Sequence, residues 1–272
     1  GAPQPMTSRS GRSTIVYNGE IYNFNELKAM LGADWKTKSD TEVLLALYES
    51  DRDPADWIRL LDGMFAFAII GPKGLLLARD PLGVKPLYIG KVEDKLVFAS
   101  EMKALLTQTH QFIEFPPGHF LASRGGVKQY YALPEDTKSD ASFEKAAREV
   151  RRLLCDSVQS RMLSDVPLGA FLSGGLDSSI IAAIARRQNR KLKTFSVGME
   201  GSPDLAAARE VAQYLKTDHY ERTFTPREAV DVLPKVIRQL ESFDSALVRS
   251  AIPNYFLAEL ASQHVKVALS GE

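Results

Sequence analysis

Ser173-Gly174-Gly175-Leu176-Asp177-Ser178-Ser179 is the stretch on which the reading of this chain turns. The apolar run Val166 to Leu172 precedes it and reads as a strand, and Ser178 to Arg187 follows with helical spacing. A glycine-containing loop between a strand and a helix is where an α/β sheet takes its ligands. Two glycines let the backbone turn tightly and aim several N–H groups at one point. Ser173, Ser178 and Ser179 add hydroxyls, and the helix N-terminus adds partial positive charge. An anion of pyrophosphate size fits such a nest. Asp177 would repel it unless a divalent cation such as Mg²⁺ bridges the two. No Gly-Lys-Ser/Thr follows, so this is not a Walker loop, and the dinucleotide fingerprint is absent. The plainer alternative is a loop whose Asp177 or Ser178 only caps the helix.

Working outward, strand and helix alternate towards the C-terminus. Lys193 to Val197 reads as a strand, Pro203 to Leu215 as a helix and Tyr220 to Phe224 as a weak strand. Pro226 to Leu240 and Ile252 to Ser262 read as helices, and Val265 to Leu269 as an apolar strand. Such alternation predicts a parallel sheet covered on both faces. Ahead of the loop, Phe143, Ala147, Val150, Leu154, Val158 and Met162 recur at helical spacing and predict a long helix. Before that, the polar run within 134–141 reads as a linker. The first half is different. Thr14 to Tyr17, Met64 to Ile70, Gly74 to Ala78, Leu96 to Phe98 and His119 to Ala122 are short β-like runs punctuated by Gly and Pro. Ser39-Asp40-Thr41-Glu42 reads as a capping box ahead of a helix.

Bulk properties narrow the function classes. The 272 residues are 44% hydrophobic and 25% charged, an ordinary globular composition whose length suggests two domains. Thirty-four basic and thirty-four acidic residues cancel, which leaves no charge-based case for nucleic acid or an anionic membrane. The longest apolar run, Met64 to Ile70, is too short for a bilayer span. One cysteine, Cys155, excludes a disulfide framework within the chain and accords with a cytoplasmic protein. It falls in the long helix, where a small buried hydrophobe is the expectation. His110, His119, His219 and His264 lack metal-ligand spacing. Arg79-Asp80 reads as a structural ion pair or turn support.

The seven-residue loop resembles the pyrophosphate-binding loop of enzymes that cleave ATP to AMP and pyrophosphate. Asn18-Gly19-Glu20-Ile21-Tyr22-Asn23, Leu61 to Phe67, Arg79-Asp80-Pro81-Leu82-Gly83, Ser100 to Leu105, Ser164 to Pro167, Ser202 to Leu205 and Leu269-Ser270-Gly271-Glu272 extend the likeness along the whole chain. Together they resemble the glutamine-dependent asparagine synthetase family. The resemblance implies two domains of α+β and α/β class. Residues 1–138 would be an N-terminal-nucleophile-type αββα sandwich that hydrolyses glutamine. Residues 139–272 would be a Rossmann-like parallel sheet that binds ATP and adenylates aspartate. It also allows a homodimer.

In that reading Asn18, Gly19 and Glu20 line the glutamine pocket, and Asp40 holds the substrate ammonium. By themselves, Asn18-Gly19 is the commonest type I′ hairpin turn and Asp40 a helix cap. For ATP the resemblance implies Ser173, Gly174, Gly175, Leu176, Asp177 and Ser178 at the pyrophosphate, with Asp177 on the metal. Phe171, Leu172 and Val197 would flank the adenosine, Ser270 and Gly271 would contact AMP, and Glu272 would act in forming or aminolysing the intermediate. The family's nucleophilic N-terminal cysteine, its glutamine-anchoring arginine and its later catalytic lysine have no counterpart, so the chain is expected to be a piece of a longer protein. Two other readings stay open: a β-lactam synthetase-like relative with a different acceptor, and a non-catalytic protein with a decayed site.

Overall fold

The computed structural model describes residues 3–32, 34–123, 125–134, 140–164 and 166–271. The chain forms two compact units, Gly1–Lys138 and Ser139–Glu272. The expected linker falls largely outside the described residues.

In the first unit, β1 (Met6–Thr7), β2 (Thr14–Ile21), β3 (Gly63–Gly71), β4 (Gly74–Arg79), β8 (His119–Ala122) and β9 (Gly126–Gln129) form an antiparallel sheet in the order β1-β2-β3-β4-β8-β9. A second antiparallel sheet orders β6 (Lys95–Ala99), β5 (Tyr88–Val92) and β7 (Phe112–Glu114). Alternation along β2 sends Ile15, Tyr17 and Ile21 to one face. There they meet Phe65, Phe67 and Ile69 of β3 and the apolar sides of α1 (Phe24–Leu31), α2 (Thr41–Glu49) and α3 (Pro54–Ile58). The opposite face packs Ala66 and Leu121 against Leu87, Ile89, Phe98 and Phe115. β3 is therefore covered on both sides, which explains its unbroken apolar run. A short α4 (Met102–Leu106) follows β6. Helix, sheet and sheet are thus stacked as expected, with the second helical layer reduced to a single turn among the described residues.

Two local expectations are corrected here. Asn18-Gly19 is not a turn: it lies inside β2, with Asn18 opposite Ala66 and Gly19 opposite Phe65. Nor is there a capping box on α2. Its N-cap is Asp40, whose side chain makes no cap hydrogen bond. Glu42 turns back instead, accepting from the N–H groups of Lys36 and Thr37 at 3.0 and 2.8 Å and from the Thr37 hydroxyl at 2.7 Å. Three donors on the preceding loop outcompete one cap interaction.

The second unit opens with α5 (Phe143–Arg161), capped by Ser142. Of the apolar residues whose spacing predicts it, Val158 is buried and Met162 packs beside it, whereas Phe143 and Val150 are 83% and 55% exposed. Cys155 is half-buried, not buried. Four parallel strands follow: β10 (Leu168–Phe171), β11 (Lys193–Gly198), β12 (Asp218–Thr223) and β13 (Val267–Leu269), in the order β12-β11-β10-β13. The connecting helices are α6 (Leu176–Gln188), α7 (Pro203–Leu215), α8 (Pro226–Leu240) and α9 (Ser245–Ser262). β10 leads by way of α6 to β11 on one side, whereas β13 joins it from the other. The strand order therefore reverses between β10 and β13, and such a switch point opens a crevice at the carboxyl ends of the strands.

Candidate functional sites

At that switch point, β10 runs directly into the Ser173–Ser179 loop. Leu172 is anchored by its N–H to the Phe195 carbonyl at 2.8 Å. Its side chain is buried with Ala182, Ala208 and Ala212, so only its main chain can face a nucleotide. Gly174 has φ +80°, and a Cβ there would lie 2.6 Å from the Ala207 backbone and side chain. Only glycine lets the loop lie against α7 in this conformation. Ser173 and Ser178 share a hydrogen bond between hydroxyls at 2.9 Å. The Ser178 hydroxyl accepts from the Ser173 N–H at 3.2 Å, and Ser173 Oγ accepts from the Gly175 N–H at 3.3 Å.

α6 then opens on Gly175 with no side-chain cap. Ser142, Thr225 and Asp244 cap α5, α8 and α9. The first-turn N–H groups of α6 thus keep their capacity for an anion, and the helix dipole favours one there. From the other strand, Gly271 reaches the same helix end: a Cβ on it would stand 2.7 Å from the Ser178 nitrogen. Phe171 lies opposite Phe195, and Val197 falls on the same face two residues beyond. That is the face covered by Leu257, Leu260 and Ala261 of α9. The structure therefore gathers Ser173 to Ser178 with Gly271, places Phe171 and Val197 on one face of the strand ends, and turns the Leu172 side chain away. Glu272 lies outside the described residues.

A buried polar strip supports α7 behind the loop. His219 pairs its ring nitrogens with Thr194 at 2.9 Å and Ser196 at 3.1 Å. Burial lowers its pKa, against the pull of Glu221, and so favours the neutral ring. Glu221 in turn bonds Arg209 of α7 at 2.7 Å. Among the described residues, no group of three or more His, Cys, Asp or Glu side chains is placed to hold a metal ion.

In the first unit, the candidate site lies along the edge of β2 beyond its short pairing with β1. Asp40 Oδ2 accepts from the Tyr17 hydroxyl at 2.7 Å and from the Ile21 N–H at 3.0 Å. Gln4 brackets the Tyr17 main chain, its carboxamide accepting from Tyr17 N–H at 2.6 Å and donating to Tyr17 C=O at 2.8 Å. Phe65 spends its N–H and C=O on Asp80 of the next strand segment. Alternation therefore points the Gly19 main chain away from β3, towards the same edge as Tyr17 and Ile21. Asn18 and Glu20, both exposed, flank it on the opposite face from Tyr17. Burial, and next the Asp40 charge, push the Tyr17 hydroxyl far above its ordinary pKa and keep it a donor. Tyr17 is the residue that the sequence reading missed. The signal was the Ile15-Tyr17-Gly19-Ile21 alternation running through Asn-Gly.

Arg79 and Asp80 prove structural. Asp80 accepts from the N–H groups of Leu82, Val84 and Lys85 at 3.1, 2.9 and 2.9 Å and so shapes the turn. Arg79 pairs not with Asp80 but with Glu114 at 2.8 Å, and it also donates to the Lys85 and Gly83 carbonyls.

The first unit is a helix-backed double sheet with a carboxylate on its strand edge, and the second is a parallel sheet with an uncapped helix at its switch point. Comparison with known proteins is consistent with both halves. Residues 1–153 match the glutamine amidotransferase domain family and residues 149–272 the asparagine synthase family. The chain is 40% identical to the glutamine-hydrolyzing asparagine synthetase of Zea mays, covering 99% of this chain and 48% of that protein. Identity is 39% to the probable glutamine-hydrolyzing asparagine synthetase of Dictyostelium discoideum, covering 53% of it. It is 40% to the glutamine-hydrolyzing asparagine synthetase B of Escherichia coli, covering 52%. The chain belongs to the family of glutamine amidotransferase domains that lead into an asparagine synthase domain. It spans about half the length of the curated relatives it matches.

Proposed function

We propose that the protein of which this chain is part makes asparagine from aspartate, with ATP and glutamine-derived ammonia. The observation that carries the reading is the uncapped α6 terminus, wrapped by Ser173–Ser178 and approached by Gly271, in a chain so similar to asparagine synthetases. A carboxylate is a poor electrophile, and adenylation by ATP supplies a leaving group. The α6 N–H groups and the Ser173 and Ser178 hydroxyls hold the departing pyrophosphate, where the helix dipole stabilises its charge. Ser270 and Gly271 contact the AMP portion, between Phe171 and Val197 on one side and the Leu172 main chain on the other. Glu272 acts in forming or aminolysing the aspartyl adenylate.

Mg²⁺ fits Asp177: one carboxylate beside a phosphate site is the usual protein share of such a site, the rest coming from substrate oxygens and water. When bound, it offsets pyrophosphate charge. At the β2 edge, Asp40 holds the glutamine ammonium by a charge-assisted hydrogen bond, while Asn18, Gly19 and Glu20 contact the rest of the substrate. A cytoplasmic location and a homodimer belong to the same proposal. Among the described residues, no helix is long and apolar enough to cross a membrane.

The test is stoichiometry. Full-length protein given ATP, aspartate and glutamine is expected to release one pyrophosphate and one AMP for each asparagine. ADP and orthophosphate in their place would overturn the mechanism.

A further inference from the structure

We propose that Tyr17 is a positioning residue for Asp40, locking one carboxylate oxygen so that the other is presented to the ammonium of glutamine. The inference rests on the glutamine-site reading above. Asp40 Oδ2 is occupied by two good hydrogen bonds, from the Tyr17 hydroxyl at 2.7 Å and from the Ile21 N–H at 3.0 Å. Among the described residues, Oδ1 receives long contacts, from Ser39 Oγ at 3.3 Å and Thr41 Oγ1 at 3.4 Å. The two oxygens are therefore unequal, and the weakly engaged one has room for a charged donor.

A second observation is independent of those bonds. A Cβ at Gly19 would lie 2.8 Å from Tyr17 Cε2 and 2.2 Å from the Met64 carbonyl oxygen. The tyrosine ring thus runs along the strand beneath Gly19 to reach Asp40. The glycine of Asn18-Gly19-Glu20 is needed as much to let that ring pass as to admit a substrate. Gln4 fixes the other end, holding both main-chain groups of Tyr17. Gln4, Tyr17 and Asp40 form one relay of position that ends at the carboxylate oxygen facing the substrate ammonium. The phenol touches no reacting atom in this arrangement.

Because the hydroxyl acts through Asp40, its loss is expected to be felt only by substrates that carry the ammonium. The probe pair is glutamine and 4-carbamoylbutanoate, which is glutamine without its α-amino group. Ammonia release from each is measured in full-length protein. Tyr17→Phe is expected to lower the ratio of kcat/KM for glutamine over 4-carbamoylbutanoate about tenfold, the scale of one hydrogen bond to a charged group. The change should come through KM for glutamine, with kcat within about twofold. Asp40→Asn should collapse the same ratio further. Incorporation of 3-fluorotyrosine at position 17, which keeps the hydroxyl and the ring, should preserve it.

An unchanged ratio in Tyr17→Phe, with a collapsed ratio in Asp40→Asn, would overturn the role of Tyr17 while leaving the glutamine site intact. An unchanged ratio in Asp40→Asn would overturn the site reading and this inference with it. Equal losses for both substrates in Tyr17→Phe, or a loss in the fluorotyrosine protein, would assign Tyr17 to packing alone.

Discussion

Gly174 shows how much one residue decides in the nucleotide loop. Its φ of +80° and its contact with Ala207 are both closed to a side chain. Gly174→Ala is therefore expected to destabilise the second unit by about 1–3 kcal/mol, from left-handed strain and overpacking together. It should also weaken ATP binding, measurable by calorimetry alongside a thermal melt. Asp177 separates chemistry from stability. It is exposed at the first turn of α6, so Asp177→Ala should leave the melting temperature almost unchanged. Loss of its charge-bridging role should cut pyrophosphate release on the order of a hundredfold, with glutamine hydrolysis within severalfold of the parent. Normal pyrophosphate release in that variant would refute the role. Both residues were legible in the sequence, because the loop's chemistry is local. Tyr17 was not, since its partner lies 23 positions away and only the folded sheet edge brings the two together.

Among the elements, carboxylates tie loops to helices and make the first unit acid-sensitive. Burial alone would raise the Glu42 carboxyl, but the Lys36 and Thr37 donors outweigh it and hold it below the usual 4.5. Glu49 follows the same logic: burial raises it, while the hydroxyls of Ser13, Ser10 and Ser8 lower it further, to a net value under 4.5. A carboxyl depressed in the folded state contributes stability that is fully present above its unfolded pKa. That contribution is lost as the pH falls through the folded value. The first unit is thus expected to lose stability progressively below about pH 4.5, the ordinary value of both groups. Glu49→Gln should flatten that slope in urea melts run from above pH 4.5 downward. An unaltered slope would show that the three serines do not hold a charge.

The elements also show which sequence signals carry information. β3 and β10 were readable from apolar runs, because burial on both faces leaves no polar interruption, whereas β11 alternates, with Thr194 and Ser196 between its apolar residues. α9 begins at Ser245, earlier than its predicted start at Ile252. Asp244 caps it, and Pro253 is tolerated within it. The α5 stripe misled for the opposite reason. Its spacing is helical and the helix is real, yet Phe143, Val150 and Leu153 stay exposed. Periodicity reports the helix, whereas burial depends on what the rest of the fold supplies.

At the scale of the whole molecule, each unit has a core of its own. Ile15, Phe65, Phe67 and the helices above them form one, and Leu168, Ala170, Phe195 and their helices supply others. Separate cores allow separate cooperative transitions. Calorimetry is therefore expected to resolve two unfolding events that respond to different perturbations. ATP with Mg²⁺ should raise only the transition of the second unit, by about 2.7 kcal/mol at a hundredfold excess over Kd, because ligand binds the folded sheet alone. Asp80→Ala should lower only the other transition. It strands the buried N–H of Phe65 and those of Leu82, Val84 and Lys85, at about 1–3 kcal/mol for each donor that finds no water. The two effects should add when combined, since independent sites add. A single transition shifted by both ATP and Asp80→Ala would show that the units fold as one.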